Sequence, residues 1–290
     1  MELEQVSSSA WAVTDGSTAG NVGCVRLADR TVVVDTSISP ATATTFRELI
    51  EKQAGTPITD VILTHYHGDH VFGAQVFADC RIIASKPMAA MYPKMMKDRW
   101  SPKAIEAWLK ELAKTDPEGA ERFKGFAITL PTCTFKDSMT IGEAEEILIQ
   151  HTGGHTEGQS IVYFQPERVL FASDLIFHQT YVWAGDHTND PKQWMKAFET
   201  ILEMPIDIIV PGHGPLCDKE VVRKYLDYFH ELETWIQSKI QENLDLEAVL
   251  KQVETSPIPP YTEGMDRPTG QMKSRIIGSI SRWFEYYKER

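Results

Sequence analysis

The segment His65-Tyr66-His67-Gly68-Asp69-His70 places four potential metal ligands within six residues, directly after the apolar run Val61-Ile-Leu. His65 and His67 are two apart, so in an extended chain their side chains project to the same side. Gly68 lets the chain turn, which would bring Asp69 and His70 round to a second metal. Neutral imidazole and carboxylate are the ligands that zinc accepts in catalytic sites. A core strand ending in three histidines and an aspartate is costly to bury unless a cation compensates them. Three more residues extend the set. His155 lies in His151-Thr-Gly-Gly-His155, Asp174 ends Val169-Leu-Phe-Ala-Ser-Asp174, and His213 lies in Ile208-Ile-Val-Pro-Gly-His213-Gly. Singly, each is an ordinary turn or strand-end residue. Together with the first cluster they form one constellation, of the kind that loops at one end of a scaffold carry.

Two metal ions roughly 3.5–4 Å apart can share a hydroxide that is nucleophilic near neutral pH. Asp69 can orient it and help carry a proton. The chain has no G-x-S-x-G elbow, so a serine nucleophile is not expected. His178 and Tyr181, just past Asp174, are expected to touch substrate. Trp183 is expected to line the pocket, with Asp186 and His187 at its edge. His151 and His230 read as turn and surface residues.

The elements that must position these residues come next. The chain has 290 residues, 42% of them hydrophobic. That is enough for a sizeable core. Its 29 basic and 41 acidic residues give a net charge of −12. Such a balance disfavours nucleic acid as a partner. The N-terminus lacks a basic region followed by a long apolar one, and no apolar run is long enough to span a bilayer. A cytoplasmic protein with a small-molecule substrate and no membrane partner is the expectation. The scattered Cys24, Cys80, Cys133 and Cys217 form no C-x-x-C pair and read as free thiols.

β-type runs are expected at 25–27, 31–35, 60–63 and 81–84, with a helix at 44–52. Residues 86–126 carry Met88, Met91, Met95, Trp100, Trp108 and Leu112 at helical spacing. This predicts two or three helices with a break near Ser101-Pro102. They serve either as packed core or as a lid or pocket wall. Strands return at 132–135, 146–150, 160–164 and 169–171. A helix at 191–204 precedes a strand at 207–210. Residues 219–253 read as helix, with Asp245 as a new cap. Segments 256–260 and 264–270 read as irregular, and 271–290 as an amphipathic helix. Strands, helices, strands, helices: the order suggests α+β sheets packed as a sandwich with helices outside.

The pattern His65-x-His67-x-Asp69-His70, Gly-His155-Thr, Asp174 and Pro-Gly-His213-Gly resembles the metallo-β-lactamase superfamily over about residues 10–220, with Asp35 fitting its first motif. The resemblance implies an αββα sandwich with the site on one edge. It implies a catalytic domain over 1–220 with a helical insertion at about 86–126, and a helical extension over 221–290 packed on the same domain. His65, His67 and His155 would bind the first metal, Asp69, His70 and His213 the second, and Asp174 would bridge them. Asp35 would hold a ligand histidine by a hydrogen bond. Two zinc ions are implied, with iron or manganese as alternatives.

The implied activity is metal-dependent hydrolysis of a small ester, lactone or thioester, glyoxalase II- or lactonase-like. True zinc β-lactamases lack a bridging aspartate, so Asp174 argues against that as the main activity. The acyl-homoserine lactonases carry a tyrosine three residues after the bridge, where this chain has Phe177. Other readings are a persulfide dioxygenase-like enzyme using one iron, a phosphodiesterase or sulfatase, and promiscuous β-lactam hydrolysis. A metal-stabilised binding module is the non-enzymatic reading, against which all seven ligand positions count. The C-terminal helix packs on its own domain or joins two copies in a homodimer.

Overall fold

The computed structural model describes residues 1–255 and 271–290; the irregular segments expected at 256–260 and 264–270 lie outside them. The chain opens with β1 (Glu4–Gln5), β2 (Ala10–Val13), β3 (Val22–Arg26) and β4 (Thr31–Val34). Then follow α1 (Pro40–Ala54), β5 (Ile58–Ile62), the single turn α2 (Gly68–Val71) and β6 (Arg81–Ser85). Helices α3 (Lys86–Met95), α4 (Pro102–Thr115) and α5 (Pro117–Glu121) come before β7 (Cys133–Phe135). The second half runs β8 (Ser138–Ile141), β9 (Ile147–His151), β10 (Ser160–Phe164), β11 (Val169–Phe177), α6 (Pro191–Glu203) and β12 (Ile208–His213). It ends with α7 (Lys219–Gln241), α8 (Leu246–Thr255) and α9 (Gln271–Lys288).

The strands form a seven-stranded sheet in sequence order, β1 to β7, and a five-stranded sheet ordered β12-β11-β10-β9-β8. Both are antiparallel except where β4, β5, β6 and β7 run parallel and where β12 lies parallel to β11. Alternate side chains explain the layering, because a strand presents successive residues to opposite faces. Val32, Val34, Ile62 and Ile83 meet Val162, Phe164, Val169 and Phe171 between the sheets. Their neighbours Val33, Val61 and Ile82 face α1 and α3 through Phe46, Ile50 and Met88. On the far side, Ile161, Tyr163 and Leu170 pack on Trp194, Phe198, Tyr225, Phe229 and Trp283 from α6, α7 and α9. Strands buried on both faces read as continuous apolar runs, and that is their pattern here. The result is the expected αββα sandwich, with α9 packed against its own chain.

Local signals set the helix ends. Ser39 caps α1 by accepting from the Thr42 amide at 3.2 Å, with Pro40 in the first turn. Both residues suit a helix start, the serine as acceptor and the proline through its fixed φ. Ser101 caps α4, at the expected break, and Asp245 accepts from the Ala248 amide at 2.9 Å. The strands expected to stop at 171 and 210 run further, to Phe177 and His213. Polar residues end an apolar run in the sequence, but here the ladder continues past them, pairing Ser173 with Pro211 and Phe177 with His213. Among the described residues no helix is long and apolar enough to cross a membrane.

All four cysteines are free thiols. Burial pushes Cys24 up to about 12 and Cys80 up to about 11. A thiol so shifted is scarcely ionised near neutral pH and reacts slowly. Native protein at pH 8 should therefore react with Ellman's reagent at fewer than four thiols, and unfolded protein at all four without a reductant. Four fast thiols in the native state would contradict this packing.

Candidate metal centre

The site forms where parallel strands end. Asp35 follows β4, His65 and His67 follow β5, and α2 carries Asp69 and His70. The loop between β9 and β10 brings His155, β11 carries Asp174, and β12 ends on His213. Two ligand groups result: His65, His67, His155 and Asp174, and Asp69, His70 and His213. Asp174 stands between them. Its Oδ2 lies 3.6 Å from His65 Nε2 and 3.3 Å from His155 Nε2. Its Oδ1 lies 3.0 Å from His70 Nε2 and 3.4 Å from His213 Nε2. Asp69 Oδ2 is 3.4 Å from His213 Nε2. Gly68 was expected to turn the chain by its backbone freedom. Instead it has ordinary helical geometry, and the turn is α2 itself.

These residues fit a metal on their own geometry. His67 Nδ1 sits 2.9 Å from His65 Nε2 and 3.0 Å from His155 Nε2. One ring proton cannot serve both contacts, so three nitrogens converge with nothing between them to share. His70 Nε2 and Asp174 Oδ1 are buried with no hydrogen-bond partner. A divalent cation would satisfy both groups of atoms. Burial holds His65 well below the ordinary imidazole range and lowers His155 to about 3. Both therefore stay in the neutral, ligating form. Burial also acts to lower His70 and His213, but the Asp174 and Asp69 carboxylates outweigh it and raise both. Burial would raise Asp174, but His70, His213 and His65 together hold it well below the carboxylate range.

The histidines are held from behind. Asp35 Oδ2 accepts from His70 Nδ1 at 2.8 Å and from the Thr64 hydroxyl at 2.8 Å, while its Oδ1 takes the Thr64 amide. Asp35 adopts φ 59° and Ser173 φ 50°. Both lie in the left-handed region, which costs a non-glycine residue energy. At Ser173 the β11–β12 register shifts. A bulge of this kind re-aims the next residue, here Asp174. Gly212 faces it: a Cβ there would lie 2.0 Å from Asp174 Oδ1. Only glycine, which has no Cβ, allows that approach. Asp186 is not at the pocket edge. It is 3% exposed, and its Oδ2 lies 3.1 Å from His67 Nε2. Its Oδ1 accepts from Tyr66 Oη at 2.6 Å and from the Thr188 amide at 2.8 Å. No local pattern marks Asp186 as the partner of a residue 119 positions away. Only the aspartate-x-threonine turn hinted at an ordered loop.

Trp183 lies where expected, on a cavity of about 300 Å³ whose walls include His67, Asp69, Asp174, Phe177, His213 and Arg275. Its ring is 4.8 Å from that of His67. Phe177 stacks on His213, with ring centroids 5.0 Å apart. His178 and Tyr181 are not brought to this cavity. The His178 ring turns to the Pro215 carbonyl, 2.9 Å away. It does so just past the irregular end of β11, where the β11–β12 register shifts between Ser173 and Phe177. Tyr181 is buried beneath α7 and α9 beside Phe229 and Trp283. His187 and His230 are exposed, and His151 ends β9, in contact at 2.8 Å with the Glu157 carbonyl of the loop that follows. A second cleft of about 350 Å³ shares His67, Gly68 and Asp69 with the first. Phe72, Trp100, Trp108 and Phe126 wall it, so the 86–126 helices form a pocket side as well as core.

The family model of the metallo-β-lactamase superfamily matches residues 15–213, more than half of the chain. A "Beta-lactamase-like protein 2 homolog" from Caenorhabditis elegans is 27% identical over 199 residues, covering 67% of this chain and 52% of that protein. The "2,4-dinitroanisole O-demethylase subunit alpha" of Nocardioides sp. (strain JS1661) is 27% identical over 222 residues, covering 73% of this chain and 57% of that one. The chain thus spans little more than half the length of these relatives. In fold, a double mutant of the sec-alkyl sulfatase PisA1 superposes with a TM-score of 0.71 at 14% identity, over 98% of this chain and 50% of that one. The matched region contains Asp35 and all seven residues of the two ligand groups, and the chain belongs to the metallo-β-lactamase superfamily.

Proposed function

We propose that the chain is a binuclear metal-dependent hydrolase, holding two zinc ions and acting on a small ester, lactone or thioester. The observation that carries this reading is Asp174, whose two oxygens face two separate groups of imidazoles. His65, His67 and His155 would hold one ion, and Asp69, His70 and His213 the other. Two ions so placed supply Lewis acidity and activate water near neutral pH.

The chain's own residues do the rest. Asp35 and Asp186 fix the faces that His70 and His67 present. Carboxylates behind ligand histidines act in this way, setting ring orientation and tautomer. Asp69 lines both cavities. It is positioned to take up a proton from the attacking water and pass it on. Trp183 and Phe177 screen one side from bulk water. The aromatic cleft offers an apolar arm of the substrate a place beside the reacting bond. The names of the relatives range over β-lactamase-like, O-demethylase and alkyl sulfatase proteins, so no single one transfers to this chain.

Metal removal tests the reading. Protein stripped by chelator should lose turnover of 4-nitrophenyl esters or lactones and regain it with Zn²⁺, at two equivalents per chain. Full activity without metal would overturn it, as would one iron per chain with oxygen consumption.

A further inference from the structure

His155 differs from the other histidines of its ligand group in how it is held. Asp186 lies behind His67, and the Thr64 hydroxyl lies 3.2 Å from His65 Nδ1. His155 Nδ1 is buried and, among the described residues, has no hydrogen-bond partner. Aromatic rings surround it instead: Trp194, Phe177 and Trp183 have centroids 5.2, 5.8 and 5.8 Å away. They confine the imidazole but do not fix its backbone. The preceding Gly153 and Gly154 adopt φ 65° and 100°. Glycine has the widest backbone freedom of any residue, so this loop needs an anchor from outside.

Asn189, which is fully buried, supplies it. Its Nδ2 donates to the Gly154 carbonyl at 2.8 Å and lies 3.4 Å from that of His155. The Asp190 amide donates to the same Gly154 carbonyl at 2.9 Å. That carbonyl shares a planar peptide unit with the His155 amide, so holding one places the other. Asn189 Oδ1 accepts from Trp283 Nε1 at 3.1 Å. An indole N–H only donates and a carbonyl only accepts, so this amide orientation is the one that serves both sides. Trp283 belongs to α9, beyond residue 213, where the family match ends. It is fully buried, with its ring 4.8 Å from that of Phe229 in α7. The same helix grips this segment twice more. Arg282 donates to the Asn189 carbonyl at 3.0 Å, and Ser279 Oγ accepts from the Ala184 amide at 2.8 Å.

We propose that Trp283 and Asn189 are positioning residues of the metal centre: the indole N–H of α9 orients the Asn189 amide, and that amide sets the backbone from which His155 reaches the other ligands. The relay contains no charged group, so it acts through geometry. It rests on the metal-binding part of the reading above and not on which bond is cleaved.

The test reads zinc rather than turnover. Zinc affinity of the whole chain is measured by competition with a chromophoric chelator, and Tm is measured with and without zinc. Trp283→Phe keeps an aromatic ring between α7 and α9 but removes the donor. It should weaken zinc binding by about 3–10-fold, the scale of one neutral hydrogen bond. Asn189→Asp still accepts from the indole but sets a carboxylate oxygen against the Gly154 carbonyl. It should weaken zinc by about 10–100-fold, the scale for losing support behind a ligand. In both, zinc should raise Tm by less than in wild type, because stabilisation by a ligand follows its affinity. Ile280→Ala is the control, since it trims buried packing from α9 and leaves these hydrogen bonds in place. It should lower the metal-free Tm and keep the wild-type zinc affinity. Wild-type zinc affinity in W283F would overturn the proposal. An equal loss in I280A would overturn it too, because α9 packing alone would then set the centre. If N189D does not fold, W283F against I280A decides. Two zinc ions bound without turnover of any ester, lactone or thioester would overturn the hydrolytic reading and leave the relay standing.

Discussion

Asp174→Asn should reduce turnover to background and leave fewer than two metal ions per chain by elemental analysis, with the fold intact. The asparagine keeps the volume beside Gly212. The change therefore removes charge rather than shape. It removes that charge from the midpoint of four imidazoles. Asp174 Oδ2 serves His65 and His155, and Oδ1 serves His70 and His213, at 3.0–3.6 Å. An amide offers one weakly ligating oxygen and directs an N–H₂ at the other group. The side of the centre facing that amide loses a ligand and gains a donor where a cation should sit. Circular dichroism like wild type, together with metal loss, would locate the effect at the centre. Two tightly held ions with normal kcat in D174N would show that Asp174 is not the bridge.

How much of this was legible follows from where each signal lies. His65, His67, Asp69 and His70 sit in one run after an apolar strand, so their number and spacing reveal them without any fold. His155, Asp174 and His213 are single residues, found only because glycine and strand ends frame them and because the order matches a known pattern. Asp35 came with that pattern. The two-sheet architecture followed from the order of strands, helices, strands and helices, and its αββα form from the resemblance. Short strands escaped: β2 is the apolar run Ala10–Val13 and β8 alternates polar and apolar over Ser138–Ile141, but each is only four residues long and neither was singled out. His178 and Tyr181 were misplaced for one reason. Proximity to Asp174 in sequence does not fix direction, because the β11–β12 register shifts between Ser173 and Phe177 and simple alternation fails there. Asp186, Arg275 and the Phe72–Trp108 cleft depend on contacts between distant segments, which composition and spacing do not encode.

Asp186→Asn should weaken metal binding at the His67 group by about 10–100-fold, the usual scale for losing a carboxylate behind a ligand histidine. The cause is the placement of one proton. Asp186 accepts from His67 Nε2 at 3.1 Å, which keeps the proton on Nε2 and leaves Nδ1 with its lone pair toward His65 and His155. A hydrogen bond at one ring nitrogen fixes the tautomer at the other. Burial would raise the Asp186 pKa, but the His67 contact, with Tyr66 and Thr188 behind it, holds it well below the carboxylate range. It therefore stays ionised and remains an acceptor. Asparagine has one acceptor oxygen. The Tyr66 hydroxyl and the Thr188 amide and hydroxyl already compete for that atom at 2.6–2.8 Å. The amide N–H₂ would therefore face His67 Nε2, moving the ring proton to Nδ1, where it blocks the metal. Because the ligand atoms themselves remain, excess Zn²⁺ should restore much of the turnover in D186N, as it should not in D174N. Tyr66→Phe, which removes only the support behind Asp186, should have a smaller effect on metal affinity. Zinc competition with a chromophoric chelator measures all three variants, and a wild-type dissociation constant in D186N would show that His67 orients itself without Asp186.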